Sequence, residues 1–367
     1  MKKHYEEKPR RVARKVFGTI GLILGIIVLI VVAYVVYVFA AYHRAGSFPI
    51  EAQNRSSTET VAVGTEYKIM SYNIGFGAYE DDFGFFMDGG TEGQAWSKER
   101  LTANMSKIAE VVKNSGSDYY FIQEVDTNST RSYYIDERPY LTNALDGMSY
   151  VFAENWDSPF LFVPPLKPHG SAKTGIMIFA KGSMKNSERV ELPVETGIMK
   201  IVDLDRCYEK TYVETDNGKM LVLYNFHLSA YTSDGKIANE QLKMLISDIE
   251  VEYNKGNYCL AGGDFNKDIL GDSSVYFGKS DIEYTWAQPI PKEILEGTDV
   301  VLVAPLDKDN PVPSCRNADG PYHKGQYVLT IDGFLVTPNI TVKSSKVVDT
   351  GFKYSDHNPV EMIFELN

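Results

Sequence analysis

One stretch of the sequence, 260–267, combines a glycine pair with two polar side chains suited to acting on a bound anion. The residues before it, 257–260, are typical of the end of a buried strand, and the glycine pair permits a sharp turn. Asp264 and Asn266 are two residues apart, so extended geometry places them on one side. There a carboxylate can orient a water molecule and a carboxamide can donate a hydrogen bond. An ordinary Asx-rich turn is the alternative interpretation.

Similar polar side chains follow other predicted strands. Oxygen-rich ligands without a cysteine cluster favour a hard cation, Mg²⁺ or Mn²⁺. Two histidines with several carboxylates suit the activation of water for attack on a phosphate ester, although a histidine at a strand end is also common as an ordinary core residue. Open α/β sheets build sites from such strand ends. The positions are Asn73, Glu124, His227, Asp264, Asn266, Asp332, Asp356 and His357.

The amino-terminal region predicts a membrane anchor. Residues 1–16 have a net charge of +5, and residues 17–41 contain no charged side chain. As a helix this segment would span about 37 Å, enough to cross a hydrocarbon core of about 30 Å. The basic flank predicts a cytoplasmic amino terminus and an extracellular catalytic region. A cleaved signal peptide is the alternative, but the apolar segment is longer than signal-peptide cores and the pattern at Ala40-Ala41 is poor.

The charge balance argues against a generic nucleic-acid binder. The chain has a net charge of -12, so residues 17–367 without the basic tail carry -17. Such a region lacks a broad basic surface, although a nuclease could still bind through metal ions and a local patch. The three cysteines have no CxxC spacing. Cys259 is expected as a buried thiol, and a disulfide between Cys207 and Cys315 is one possibility outside the cell.

The sequence predicts four successive segments and no internal repeat. Within the catalytic segment, 131–145 is expected to be helical, the Pro-rich residues 158–173 a loop, and the weakly patterned residues 270–325 loops with short helices. The four segments are a basic cytoplasmic tail (1–16), a transmembrane helix (17–41), a polar linker (42–65) and a catalytic domain (66–367).

Six short motifs, in this order, resemble those of the endonuclease/exonuclease/phosphatase superfamily. That superfamily includes pancreatic deoxyribonuclease, apurinic endonucleases, neutral sphingomyelinases and inositol polyphosphate phosphatases. The resemblance covers about residues 68–365 and implies a four-layer α/β/β/α sandwich of two mixed sheets. The motifs are SYNIG (71–75), IQEVD (122–126), NFHL (225–228), GGDFN (262–266), TIDGFLV (330–336) and SDHNPV (355–360).

The resemblance also implies a role for the polar residues in these motifs. Glu124 would bind the metal ion, with Asn73 beside it and Asp356 near or in the coordination shell. Asp264 would orient or deprotonate the attacking water. Asn266 would hold the phosphate or the nucleophile.

The histidines complete the set that the resemblance implies. His357, steered by Asp332, would contact the scissile phosphate and stabilise the transition state. His227 matches the second histidine of the deoxyribonuclease and sphingomyelinase branches, where it assists the leaving oxygen; apurinic endonucleases have a tyrosine in that region. Further candidates for contacts with substrate are Arg131, His169 and Lys173.

The resemblance therefore implies a membrane-anchored, divalent-metal-dependent phosphoesterase that uses an activated water. Its substrate could be a nucleic acid, a phospholipid or a small phosphoester, with an endonuclease as one form. A sphingomyelinase-like or phospholipid phosphodiesterase is the alternative, and a catalytically inactive binding protein on the same fold is a further one. The sequence indicates no protein partner.

Overall fold

The computed structural model describes residues 7–55, 60–197, 200, 203–230, 235–282, 284 and 286–367. The chain divides into two units, one ending at His43 and the other comprising Arg44–Asn367. In the first unit, helix α1 spans Glu7–Ala41. Its part Val12–Ala41 is long and apolar enough to cross a membrane, and a signal sequence would meet the same criteria.

The second unit contains both α-helices and β-strands, as an α/β fold requires. The helices are α2 (Lys98–Ser115), α3 (Arg138–Ala144), α4 (Lys236–Asn254) and α5 (Ser274–Phe277). The strands are β1 (Phe48–Pro49), β2 (Glu66–Asn73), β3 (Tyr119–Asp126), β4 (Ser149–Asp157), β5 (Lys173–Ala180), β6 (Met184–Glu191), β7 (Cys207–Glu214), β8 (Met220–His227), β9 (Tyr258–Asp264), β10 (Val301–Val303), β11 (Cys315–Arg316), β12 (Val328–Leu329), β13 (Asp332–Val336), β14 (Ile340–Val347) and β15 (Val360–Leu366).

Two mixed sheets hold most of these strands. The six-stranded sheet has the order β14-β15-β2-β3-β5-β4, and the seven-stranded sheet has the order β1-β6-β7-β8-β9-β13-β10. Each sheet contains one parallel pair, β2 with β3 and β8 with β9. Strands β11 and β12 form a separate two-stranded sheet. The polar residues predicted at strand ends therefore belong to both large sheets.

The sheets pack face to face with helices on the outside, which confirms the predicted four-layer sandwich. Between the sheets, Phe121 and Leu223 belong to one fully buried apolar cluster. Helices α2 and α3 bury Ile108 and Leu141 against the outer face of the six-stranded sheet. Helix α4 buries Leu245 against the outer face of the other sheet. Burying a side chain of this size contributes about 1.5–3 kcal/mol to folding.

A polar connection crosses the apolar layer between the sheets. The amide nitrogen of Asn225 in β8 donates hydrogen bonds of 3.1 Å and 2.9 Å to the carbonyls of Ile122 and Met177 in the other sheet. The side-chain oxygen of Asn225 accepts a 2.7 Å hydrogen bond from Gln123. Because a buried amide is costly unless its hydrogen bonds are made, this connection specifies how the two sheets align next to the strand ends.

Local sequence explains where the outer helices begin. Ser97 accepts a 3.2 Å hydrogen bond from the backbone N–H of Arg100, which caps α2 as its residue type favours. The predicted helix over 131–145 is shorter, because α3 begins only at Arg138. The following residue, Pro139, has no N–H and is tolerated only in the first turn of a helix.

Residues 44–55 and 60–65 of the predicted linker pack on the rest of the second unit. Strand β1 pairs with β6, and Val61 is 4% exposed within the core between the sheets. The fully buried guanidinium of Arg189 donates hydrogen bonds of 2.9 Å and 2.8 Å to the carbonyls of Ala45 and Gly46. Residues 56–59, which also belong to the predicted linker, lie outside the described residues.

The cysteines are free thiols. Cys207, Cys259 and Cys315 are all buried and unpaired within the part of the chain that the structure describes. The disulfide considered between Cys207 and Cys315 is therefore not formed, whereas the buried thiol expected at Cys259 is present.

Candidate active site

The predicted polar residues converge around one oxygen atom, Oδ2 of Asp264 at the end of β9. The amide nitrogen of Asn73, at the end of β2, donates a 3.1 Å hydrogen bond to this oxygen. Nε2 of His227 and Nε2 of His357 lie 3.5 Å and 3.7 Å from it. The site therefore joins the two sheets at the carboxyl ends of strands β2, β8 and β9.

Glu124 reaches the same site through an irregularity in β3. The pairing of β3 with β5 shifts register between Ile122 and Val125, and Glu124 has a left-handed backbone with φ of 56°. A β-bulge redirects a side chain in this way. One carboxylate oxygen of Glu124 accepts a 3.1 Å hydrogen bond from the amide of Asn73. Asn73 thus links the carboxylates of Glu124 and Asp264.

The orientation of His357 is fixed by Asp332. Nδ1 of His357 lies 2.8 Å from Oδ2 of Asp332. The hydroxyl of Ser314 donates a 2.7 Å hydrogen bond to the same oxygen and accepts hydrogen bonds from the backbone N–H groups of Ile331 and Asp332. Nε2 of His357 is consequently directed towards Asp264.

The two histidines differ in charge. Burial alone would lower the pKa of His357, but the Asp332 carboxylate reverses that effect and raises it well above its usual value. Burial lowers the pKa of His227 well below its usual value, and the positive charges of Arg206 and His357 lower it further. At neutral pH, His357 therefore carries a proton that it can donate, whereas His227 is neutral. Divergent pKa values of neighbouring groups are typical of acid–base sites.

Two carboxyl groups of the site hold their protons unusually tightly. Burial raises the pKa of Asp264 to about 7, with the Asp332 carboxylate adding to the effect and His357 opposing it. Burial raises the pKa of Asp356 to about 6, and the charge of Glu124 adds to the rise. A cation bound beside these carboxyl groups would lower their pKa values, because a nearby opposite charge favours the ionised form.

The loop after β9 holds Asn266 against Asp264. The backbone N–H of Asn266 donates a 2.8 Å hydrogen bond to Oδ1 of Asp264, and its side-chain amide donates one of 2.8 Å to the carbonyl of Leu228. Asn266 has φ of 49°, a conformation that asparagine tolerates better than most residues. Asp264 and Asn266 therefore form an Asx-type turn, and this turn also contributes to the site.

The donor set suits a hard divalent cation. Glu124 and Asp356 offer carboxylate oxygens at one side of the site, and their mutual repulsion contributes to the raised pKa of Asp356. The amide oxygen of Asn73 instead accepts a 3.0 Å hydrogen bond from the backbone N–H of Gly75, so Asn73 directs its nitrogen towards the carboxylates. Two sets of three residues have possible ligand atoms within 4.8 Å of one another. One set is Asp264, Asp332 and His357, and the other is Cys315, Asp356 and His357.

The three candidate substrate contacts are engaged with residues outside this cluster. The guanidinium of Arg131 is buried, forms hydrogen bonds of 3.0 Å and 2.8 Å to Asp126, and stacks over Phe76. His169 is buried, and burial lowers its pKa to about 3. Lys173 forms a 2.7 Å ion pair with Asp157. Direct contacts of Arg131, His169 and Lys173 with substrate remain predictions.

Sequence reasoning missed the contribution of residues 314–316. The backbone N–H of Arg316 donates a 2.9 Å hydrogen bond to the backbone carbonyl of Asp356. The backbone N–H of Asn358 donates one of 2.7 Å to the carbonyl of Ser314. This pair of backbone hydrogen bonds positions Ser314, whose hydroxyl donates a hydrogen bond to Asp332. Residues 314–316 lie within the weakly patterned segment 270–325, where pairing with residues far along the chain leaves no periodic signal.

Comparison with known proteins gives a family for this architecture. The profile of the "Endonuclease/Exonuclease/phosphatase family" matches residues 70–357. This range contains every predicted site residue. None of the curated protein sequences matches significantly.

Solved structures share the fold at low sequence identity. The structure titled endonuclease/exonuclease/phosphatase from Beutenbergia cavernae has 16% identity and a TM-score of 0.53, covering 82% of this chain and 72% of that one. ANGEL2, described as a 2',3'-cyclic phosphatase in complex with adenosine-2',3'-vanadate, has 16% identity and a TM-score of 0.54 over 89% of this chain and 99% of that one. A family protein from Leptotrichia buccalis has 14% identity and a TM-score of 0.53, covering 82% and 100%.

Proposed function

The chain belongs to the endonuclease/exonuclease/phosphatase family, whose members are hydrolases acting on phosphoester bonds, and on this premise we propose that it is a divalent-metal-dependent phosphodiesterase. One observation carries the proposal. Asn73, His227 and His357 all direct a nitrogen atom towards Oδ2 of Asp264, at 3.1 Å, 3.5 Å and 3.7 Å. A buried carboxylate surrounded in this way suits holding a water molecule beside an anionic substrate.

Glu124 and Asp356 are the proposed ligands of Mg²⁺ or Mn²⁺, with Asn73 positioning the Glu124 carboxylate. The bound ion would neutralise charge on the phosphoryl oxygens. Hard cations prefer such carboxylate oxygens. The repulsion that contributes to the raised pKa of Asp356 supports this assignment.

The remaining side chains have distinct proposed roles. Asp264, when ionised, orients the attacking water and accepts its proton. His357, protonated and fixed by Asp332, stabilises negative charge on the phosphoryl group and can donate a proton to the leaving oxygen. The lowered pKa of His227 makes it a poor proton donor, so we assign it a neutral hydrogen bond to the water or the substrate. Asn266 keeps Asp264 in place.

We further propose that α1 anchors the protein in a membrane, with residues 1–16 in the cytoplasm and the catalytic unit outside the cell. The apolar part of α1, Val12–Ala41, supports an anchor. The basic residues before it support this orientation. Protease digestion of intact cells tests it, because the catalytic unit should be cleaved only if it lies outside.

A lipid phosphodiesterase is the second candidate, and an exposed apolar loop favours it. The loop between β4 and β5 lies at the same end of the sheet as Glu124, because β5 runs antiparallel to β3 and begins where β3 ends. Its tip exposes Phe162, Val163 and Leu166, the last of them 96% exposed. Exposed apolar clusters often mark contacts with a membrane or a partner.

The test offers the full-length protein several phosphodiesters in parallel, each with Mg²⁺ and with a chelator. The substrates are bis(p-nitrophenyl) phosphate, plasmid DNA, and vesicles of sphingomyelin or phosphatidylcholine. Chelator-sensitive hydrolysis of any one of them supports the proposed function, and the preferred one separates a nuclease from a lipid phosphodiesterase. Absence of hydrolysis by a folded, Mg²⁺-loaded protein would refute it.

A further inference from the structure

Cys315 is held against His357 by the backbone. Residues 315 and 357 form an antiparallel bridge, flanked by the hydrogen bonds from Arg316 to Asp356 and from Asn358 to Ser314. This ladder brings Sγ of Cys315 to 3.7 Å from Nε2 of His357. Main-chain pairing thus fixes the backbone of Cys315, and the contact of Sγ with the carbonyl of Arg316 at 3.3 Å accompanies the rotamer that faces His357.

This spacing matches that of two ligands on one tetrahedral zinc ion. Zn–S and Zn–N bonds of about 2.3 Å and about 2.05 Å, at a tetrahedral angle, place the two ligand atoms about 3.6 Å apart. A carboxylate oxygen of Asp356 supplies a third ligand atom, and the three atoms lie within 4.8 Å of one another. Asp356 is partly exposed, so a cation can enter from solvent.

The contact of His357 with Asp332 also suits it as a metal ligand. Its Nδ1 lies 2.8 Å from the carboxylate of Asp332, so Nε2 is the ring nitrogen that faces both Cys315 and Asp264, at 3.7 Å from each. A carboxylate bound to the outer nitrogen of a histidine is the usual support of a zinc-binding imidazole.

We propose that Cys315, Asp356 and His357 bind a thiophilic divalent cation such as Zn²⁺, and that this binding switches off the hydrolytic site. Binding converts the Cys315 thiol to a thiolate and frees Nε2 of His357, and both protons pass to solvent. Mg²⁺ does not compete for the thiolate, because hard cations prefer oxygen ligands. The inhibitory part rests on the proposed function, since it removes Asp356 and His357 from that reaction; the binding part does not.

The binding part is tested by spectroscopy on the full-length protein in detergent. After treatment with a chelator and its removal, the protein is titrated with Cd²⁺ or Co²⁺, whose thiolate complexes absorb in the near ultraviolet. We expect one equivalent to produce the charge-transfer band in the wild type and in Cys207→Ala, and no band in Cys315→Ala. A band that persists in Cys315→Ala, or none in the wild type, would overturn the site.

The inhibitory part is tested with Zn²⁺ in the presence of saturating Mg²⁺. The Zn²⁺ concentration that halves hydrolysis should rise about tenfold or more in Cys315→Ala and stay unchanged in Cys207→Ala. Circular dichroism and Mg²⁺-supported turnover report whether each variant is folded, and Cys315→Ser serves if the alanine variant is not. Equal inhibition of all proteins would refute the switch. A band without hydrolysis of any substrate would refute the proposed function and leave the metal site standing.

Discussion

Asp332 and His357 are joined through a single oxygen atom that also binds Ser314. Oδ2 of Asp332 lies 2.8 Å from Nδ1 of His357 and accepts a 2.7 Å hydrogen bond from the Ser314 hydroxyl. This arrangement fixes the plane of the imidazole and stabilises its positive charge.

Asp332→Asn should lower kcat by about 100-fold, because an amide neither stabilises the imidazolium nor keeps the same ring orientation. The pKa of His357 should fall towards its usual value. Activity that needs protonated His357 would then be lost at a lower pH, so the alkaline limb of the pH–rate profile should move to lower pH. Ser314→Ala retains the carboxylate and should leave that limb nearly in place. An unchanged limb in Asp332→Asn would contradict the proposed role of His357.

Glu124→Gln should abolish Mg²⁺-dependent turnover and weaken Mg²⁺ binding about 10-fold or more, because it removes a charged ligand. Isothermal titration calorimetry measures the binding, and hydrolysis of bis(p-nitrophenyl) phosphate measures the turnover. The control is Glu110→Gln on the exposed face of α2, where the glutamate forms an ion pair with Lys107. Equal Mg²⁺ affinity in Glu124→Gln and the wild type would remove Glu124 from the metal site.

Mg²⁺ affinity should increase with pH from about 5 to about 8, because the ion binds ionised carboxylates. In the metal-free site the pKa of Asp356 is raised to about 6 and that of Asp264 to about 7. Below these values the ion must displace protons, and above them it binds without proton release. Calorimetry in two buffers of different ionisation enthalpy counts the released protons. Affinity independent of pH across this range would count against both carboxyl groups as participants.

Gly263→Ala should lower the free energy of unfolding by about 3 kcal/mol or more. Gly263 has φ of +150°, and a Cβ atom there would lie 1.9 Å from the carbonyl oxygen of Phe226 in the neighbouring strand β8. The matched control is Gly297→Ala, where φ is +80° and nothing lies within 4 Å of the added Cβ. It should cost only about 1 kcal/mol of backbone strain. Urea unfolding followed by circular dichroism compares the two variants, and similar losses would show that contact with β8 is unimportant.

The polar residues at the strand ends could be predicted because each follows directly after an apolar run. An apolar run that ends in Glu124 or Asp264 requires a partner for the carboxylate, and the parallel pairing of neighbouring strands brings such ends together. The same reasoning located Asn73 and His227. These residues needed no knowledge of long-range contacts beyond the order of the strands.

Other parts of the site depend on contacts that the local sequence does not encode. The left-handed backbone of Glu124 arises from the register shift between β3 and β5, which composition does not predict. Ser314 and Cys315 acquire their places by pairing with residues more than 40 positions away. Arg131 pairs in the interior with Asp126, five residues earlier, and a contact of Arg131 with substrate stays a prediction.

The hydrogen bonds from Arg189 to residues 45 and 46 limit how much of the chain can be removed together with α1. A chain that begins at residue 50 would lose both acceptors, and the buried guanidinium would keep, within the described residues, only its hydrogen bonds to the carbonyls of Glu154 and Asp205. A buried donor that loses its acceptors destabilises the fold. The truncation would also uncover the edge of β6, whose free N–H and C=O groups are a template for pairing with another molecule. The segment that follows the apolar helix therefore protects the isolated catalytic unit from aggregation.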